Sequence, residues 1–455
     1  MSIKNIAWKK IDIALAGALV ALVAVLSWYA WVQYVPGFGV LRMDSLAAPS
    51  YIADAVTISA DGTQVAILHQ EISNGPGPFV VEVRNVQSGQ QISKFTMPRA
   101  VDDRTTPYYD LSRKLSFCDG GKYLLAFAPP DRLYLADAHT FTMRDPIHLS
   151  ALRLRAEGDP GNSDPPPGTP VPSGPVEFDC AASSGVAVLG FSEGLNVAVI
   201  KVIDLESGKD LADLGGIFNP LAYKGLSHEY QGDGLAISPD GSRVAIGVWQ
   251  FGEVNGFAVD VMDVQRRQLD KTVFLRDGNR TEHRLAFAGE GALVIGEPEC
   301  QPNGKCDTRS MPNNRKLRLW DFATTGSVRK LGPQFNETYR TFGASADGNV
   351  VFAYTGDESY CGLCNSRNGE LKVHNARFTV WDRASGNVIA RSPGLRVEVH
   401  SCPWLSLGAC ESYQQVPELQ MSANGRSILA FWPQQGFPPP ENVKGLGQLE
   451  VYTLR

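Results

Sequence analysis

Cysteine is the residue whose spacing most invites chemistry in this 455-residue chain, which has eight of them. Three pairs are local: Cys300 and Cys306 frame CQPNGKC, Cys361 and Cys364 frame CGLC, and Cys402 and Cys410 frame CPWLSLGAC. Cys118 and Cys180 are left over, in LSFC and FDC. An even count in local pairs reads as disulfide staples, although spacing alone does not fix their connectivity. CGLC also has the spacing of a redox dithiol, in which a helix N-terminus activates the first thiolate. Its flanks, GDESY and NSRNGE, are turn-forming and lack a βαβ pattern. A structural disulfide is therefore expected there, with thiol exchange and a metal site as the alternatives. No His follows Cys364, so covalent haem attachment through Cys-x-x-Cys-His is excluded.

The remaining chemistry-bearing residues do not assemble into a site. Seven histidines, His69, His139, His148, His228, His283, His374 and His400, contain no pair at metal-ligand spacing. There is no Gly-x-Ser-x-Gly elbow. The expectation is no catalytic set, no cofactor and no metal site. Net charge is −6 with no Lys/Arg cluster, which disfavours nucleic acid as a partner.

The elements that would position these residues repeat. LAISPDGSRVAIGVW, beginning at Leu235, combines an apolar pair, a small polar turn and an apolar run. The same order returns in VTISADGTQVAIL from Val56, LSFCDGGKYLLAF from Leu115, FDCAASSGVAVLGF from Phe178, LAFAGEGALVIGE from Leu285, FGASADGNVVFAY from Phe342 and LQMSANGRSILAF from Leu419. A further apolar run and a turn of the type Asp-x-x-x-Gly follow each phrase, as in VAVIKVIDLESGKDLADL from Val197. Four short antiparallel strands per unit, recurring about every 50 to 77 residues, predict radial repetition. The fold class is thus expected to be all-β, a seven-bladed β-propeller preceded by one transmembrane α-helix.

SPDG at Ser238, LWDFATTG at Leu319, VWDRASG at Val380 and VIDLESGK at Val202 resemble blades of the WD-repeat and YVTN-type propeller families. The resemblance runs from about Gly39 to the C-terminus and implies the propeller fold. It departs from true WD repeats in lacking a regular Gly-His pair, and it brings no activity with it.

Two domains are expected: residues 1–36 as a cytoplasmic N-terminus with a single membrane anchor, and 37–455 as the propeller. Residues 13–32, IALAGALVALVAVLSWYAWV, are twenty positions without a charge. At about 1.5 Å per residue they match a hydrocarbon core about 30 Å thick. Lys4, Lys9 and Lys10 precede the run and only Arg42 closely follows it, which leaves the N-terminus in the cytoplasm. Bulky aromatics, with no small-residue cleavage site, follow the run, so an anchor is preferred to a signal peptide. The last repeat ends at LEVYTLR, a third strand; the stretch near 39–46, GVLRMDSL, is expected to supply the fourth and close blade 7.

In such a ring, the turns between strands 1 and 2 and between strands 3 and 4 lie on one face. They are nearly all tight DG or SG turns. The connections of the other face are long: 96–114, 150–176, 215–234, 298–315, 355–376, 393–418 and 433–447, with all three local cysteine pairs among them. Long stapled loops on a rigid scaffold are where binding sits. Glu177 and Asp179 are the acidic exceptions on inner strands of small or apolar residues, and His228, His283 and His400 fall where they would line the channel mouth. The expected function is a membrane-anchored, extracytoplasmic protein-binding or scaffolding module. Its partner would be another protein in the periplasm or at the membrane surface. The alternative is a periplasmic propeller enzyme of lactonase or quinoprotein type, with a small-molecule site in the axial channel.

Overall fold

A computed structural model of the chain describes residues 21–23, 38–43, 51–72, 76–97, 115–128, 132–148, 177–192, 198–214, 227–251, 256–275, 285–298, 315–331, 337–338, 341–361, 370–392, 394–395, 398–400, 413–415, 417–432 and 449–454. Among them, seven antiparallel sheets follow one another. Sheet 1 is Tyr51–Ile58, Gln64–Ile72, Pro76–Asn85 and Gln91–Met97. Sheet 2 is Leu115–Cys118, Tyr123–Ala128, Arg132–Asp137 and Ile147–His148. Sheet 3 is Glu177–Cys180, Val186–Ser192, Ala198–Asp204 and Asp210–Asp213. Sheet 4 is Ser227–Ile237, Arg243–Phe251, Gly256–Asp263 and Gln268–Leu275. Sheet 5 is Leu285–Phe287, Ala292–Pro298, Arg315–Asp321 and Ser327–Leu331. Sheet 6 has Phe342–Ala344 and the short Glu337–Thr338 both paired to Val350–Cys361, then Glu370–Asp382 and Val388–Arg391. Sheet 7 is Glu418–Met421, Ser427–Phe431 and Leu449–Leu454, and its fourth strand is Phe38–Met43 from the other end of the chain. That strand runs antiparallel to Leu449–Leu454, with Phe38 opposite Leu454 and Met43 opposite Leu449.

The apolar core is distributed. Seven clusters of buried side chains occur, one between each pair of neighbouring sheets. Leu68, Val81 and Met97 of sheet 1 meet Leu124 and Tyr134 of sheet 2. Tyr123 and Leu133 then meet Leu189 and Ile203, and Val188 and Val202 meet Ile246 and Met262. Val259 and Leu275 meet Phe287 and Trp320, and Val294 and Leu319 meet Val351 and Trp381. Phe378 and Val380 meet Trp432 and Tyr452, and Leu429, Phe431 and Val451 return to Val56, Val65 and Ile67 of sheet 1. The ring therefore closes, and the molecule is an all-β, seven-bladed β-propeller.

This arrangement explains the sequence pattern. The second and third strands are covered on both faces, so VAIL, YLLAFA and SILAF are unbroken apolar runs in place of an alternation. The outermost strands have little above them, and Gln91–Met97 and Gln268–Leu275 stay mostly exposed or half-buried.

The recurring turn has its own chemistry. In blade 1, Ser59 Oγ donates to Asp61 Oδ1 at 2.6 Å, Thr63 N donates to the same oxygen at 3.0 Å, and Gln64 N donates to Ser59 Oγ at 2.9 Å. Ser238 with Asp240, Ser345 with Asp347 and Ser422 with Asn424 repeat the motif in blades 4, 6 and 7. The glycine that follows reverses the chain at positive φ, +71° at Gly348, and an added Cβ there would lie 2.4 Å from Ala288 O of the neighbouring blade. Gly89 has almost the same φ, +69°, with open space around it. Gly89→Ala is expected to cost about 1 kcal/mol for the backbone alone. Gly348→Ala should cost about 1–3 kcal/mol more, because backbone must move, and paired urea denaturation midpoints would measure the difference.

Three stretches read as loops need adjustment, and in the first, 215–234, the end is strand: Ser227–Ile237 extends along Arg243–Phe251, with Ser227 opposite Phe251 and Tyr230 opposite Val248. The stretch 355–376, read as a loop, is largely a hairpin: Val350–Cys361 and Glu370–Asp382 continue as strands, with Glu358 opposite Val373 and Tyr360 opposite Leu371. Cross-strand pairing there overrides the turn-forming residues of GDESY. Similarly, Glu398–His400 and Tyr413–Gln415 form an extra hairpin between blades 6 and 7. No helix among the described residues is long and apolar enough to cross a membrane. The apolar run at 13–32 lies outside the described residues except for 21–23, which are helical and exposed.

Candidate functional site

The inner strand of each blade faces a common axis. Thr57, Ser116, Asp179, Leu235, Ala286, Gly343 and Gln420, one from each blade, line a channel of about 390 Å³. Small residues such as Ala286 and Gly343 and larger apolar ones such as Phe117, Leu235 and Leu419 share its wall. Asp179 is the one carboxylate on this wall among the described residues. Its Oδ2 accepts a hydrogen bond from Ile237 N of blade 4 at 3.0 Å, and its Oδ1 accepts from Cys180 N at 2.9 Å. Through these two bonds it clamps blades 3 and 4 together.

Beside it, Cys118 and Cys180 are joined as a disulfide, with Cα atoms 5.5 Å apart. The bond ties the inner strands of blades 2 and 3 at their turn ends, so a disulfide is present among the eight candidates, between the two cysteines whose pairing the sequence left open. The other six candidates, Cys300, Cys306, Cys361, Cys364, Cys402 and Cys410, have side chains outside the described residues. So do Glu177, which starts the inner strand of blade 3, and His228, which lies in the first strand of blade 4. His400 ends a strand of the extra hairpin, and His283 lies outside the described residues altogether. Of the predicted channel-mouth residues, Asp179 alone is therefore seen in its surroundings. No metal-holding group of His, Cys, Asp or Glu occurs among the described residues.

Two buried ionic groups have no sequence signal. Lys201 Nζ, on the third strand of blade 3, lies 2.6 Å from Asp213 Oδ2 and 3.5 Å from Asp210 Oδ2. In blade 1, His69 Nε2 lies 3.5 Å from Glu82 Oε1, and Arg84 Nη2 is 2.8 Å from Glu82 Oε2. Both are cross-strand arrangements within a blade covered on both faces, where an isolated charge would be costly.

The two faces of the ring differ. On the face of the 1–2 and 3–4 turns, hydrogen bonds run from blade to blade. Asp119 N donates to Ala181 O, Ser183 N to Pro239 O, Ala346 N to Ala423 O and Asn424 N to Ala60 O. The third-to-fourth turns are fixed internally: Asp204 and Asp382 accept from Ser207 and Ser385, hydroxyl first and main chain second, which holds both carboxyls below the ordinary range. The opposite face carries the long connections, whose central parts lie outside the described residues.

A closed ring of seven antiparallel blades, six of four strands and one of five, around an open axis defines the fold as a seven-bladed β-propeller. No protein-family model and no curated protein matches the sequence. Among solved structures, the chain is similar to Kuenenia stuttgartiensis hydrazine synthase, at 13% identity over 85% of this chain and 94% of that one, with a TM-score of 0.48. It is also similar to the β-propeller domain of Myceliophteria thermophila Cps50 (Swd1), at 12% identity over 89% and 96%, TM-score 0.49. The WD40 repeats of RRP9 match at 12% identity over 93% and 99%, again with a TM-score of 0.49.

Proposed function

We propose that this chain is a membrane-tethered, extracytoplasmic propeller that binds or scaffolds another protein through its long-loop face. The observation that carries the reading is the asymmetry of the ring. One face is a set of tight turns bonded to one another. The other is where strand ends are separated by 98–114, 149–176, 299–314 and 432–448, long segments on a rigid support. The channel supports this reading over an axial enzyme site, since its carboxylate among the described residues is engaged by main-chain N–H groups of blades 3 and 4.

Location rests on two further supports. A disulfide between inner strands suits an oxidising compartment. The 13–32 run suits an anchor whose positive flank stays in the cytoplasm. The orientation then follows from the register. Phe38 pairs with Leu454, and Leu454 N donates to Arg426 O in a first-to-second turn, so the closing strand begins on the tight-turn face. Only residues 33–37 separate it from the apolar run, so the tight-turn face looks toward the bilayer and the long loops point away.

The test is photo-crosslinking of the full chain in its native membrane, from probes in segments 149–176 and 299–314 and from control probes at Ser88 and Thr324. A defined protein captured from the loop positions and not from the controls is the expected result. Capture of nothing specific, or the same proteins from both faces, would remove the proposal.

A further inference from the structure

The junction of blades 4 and 5 differs from its neighbours in what crosses it on the tight-turn face. At the 2–3, 3–4, 6–7 and 7–1 junctions the main-chain donors within the turns, Asp119, Ser183, Ala346 and Asn424, end on main-chain oxygens. Here Asp240 N donates to a side chain, Glu290 Oε1, at 3.0 Å. The reason lies in the turn. Blade 5 has Ala288 where blades 1, 4, 6 and 7 have serine, so Glu290, at the position of Asp61, Asp240 and Asp347, finds no hydroxyl in its own turn. It reaches across to the preceding blade instead.

That reach leaves an unusual pairing. Glu290 Oε2 is buried without a hydrogen-bond donor, next to the residue whose main-chain N–H holds Oε1, and the Asp240 side chain is the group whose bonding and charge act on it. Asp240 is already fixed as an acceptor by Ser238 Oγ at 2.7 Å and Ser242 N at 2.8 Å. Two facing carboxyl groups hold together when they share one proton and repel when both are charged. We propose that this junction is a pH-sensitive latch: protonated Glu290 donates to Asp240 and fastens the turn face, and deprotonated Glu290 sets carboxylate against carboxylate and loosens it.

The surrounding charges agree with this assignment. Burial, then the bond to the Asp240 side chain and its charge, raise Glu290 to about 7, and they outweigh the Asp240 main-chain N–H, which favours the charged form. Asp240 falls to about 2: burial opposes the shift, and bonds with Glu290, Ser238 and Ser242 outweigh it. From blade 4, Arg243 favours the charged form of Glu290, but it is engaged with Asp270 at 3.2 Å and lies 5.9 Å from the Phe322 ring centre. From blade 6, Arg383 Nη1 donates to Ala288 O, and Asp347 packs against Gly289 through its carbonyl oxygen. Because the folded value of Glu290 lies above its ordinary 4.5, the latch stabilises fully below that pH and is lost as pH rises through about 7.

Hydrogen exchange of the full chain at pH 6 and pH 8, corrected for intrinsic rates, tests this at the Asp240 amide. Protection is expected to fall at least about fivefold at the higher pH. Glu290→Gln still accepts from Asp240 N and donates to the Asp240 carboxylate, so its protection should stay level. Asp240→Asn, which removes the opposing charge, should flatten the profile independently. Equal protection of the unmodified chain at both pH values, or an unchanged pH response in either variant, would overturn the latch.

Discussion

A chain lacking residues 1–43 is expected to lose cooperative folding and to self-associate beyond the state of the full chain, whereas one lacking only residues 1–36 keeps the cooperativity and the oligomeric state of the full chain. The two differ by the strand Phe38–Met43, which pairs residue for residue with Leu449–Leu454. Removing it unpairs a ladder six residues long, at about 0.5–1.5 kcal/mol net for each hydrogen bond. It also uncovers one edge of a strand whose Leu449, Val451 and Tyr452 are buried and belong to the clusters on either side of blade 7. An exposed strand of this kind is a template for pairing with another chain. Size-exclusion chromatography with thermal melts of the two truncations would measure the outcome. Equal melting temperatures and elution volumes would show that the ring does not depend on that strand.

Replacing Cys118 and Cys180 together with alanine should lower stability by about 2–4 kcal/mol, read as a fall in the urea midpoint with little change in slope. The bridge spans 62 positions of sequence, and its loss lets the unfolded chain expand. Adding reductant to the unmodified protein should reproduce the shift, and adding it to the double variant should do nothing further. A midpoint insensitive to reductant would mean that this bond contributes no net stability.

The ring was readable because its turn demands particular residues. Ser-x-Asp-Gly pairs a hydroxyl with a carboxylate and then reverses the chain at positive φ, which few other sequences do. Blades 2, 3 and 5 were legible only through their apolar runs, since Cys118, Ala181 and Ala288 replace the serine. The continuation of blade 6 to Cys361 was hidden, because Gly356, Asp357 and Ser359 prefer turns and are held extended by the partner strand. Asp179 stood out as an acid on an apolar strand, yet its duty depends on Ile237, 58 positions away, which no local pattern reveals. Glu290 was invisible for a similar reason: its turn looks like a weak copy of the others, and its meaning comes from the blade next door. Lys201 and Glu82 escaped notice because a charge on a strand ordinarily marks the solvent side, and a blade sandwiched between two others has none.

The placement of apolar clusters between neighbouring blades has a mechanical consequence. Each blade is a wedge gripped by two neighbours, so the collar widens or narrows only if all seven wedges tilt in concert, against close-packed walls. The opening on the axis is accordingly of fixed bore. The diameter of that bore is in this sense a constant of the fold.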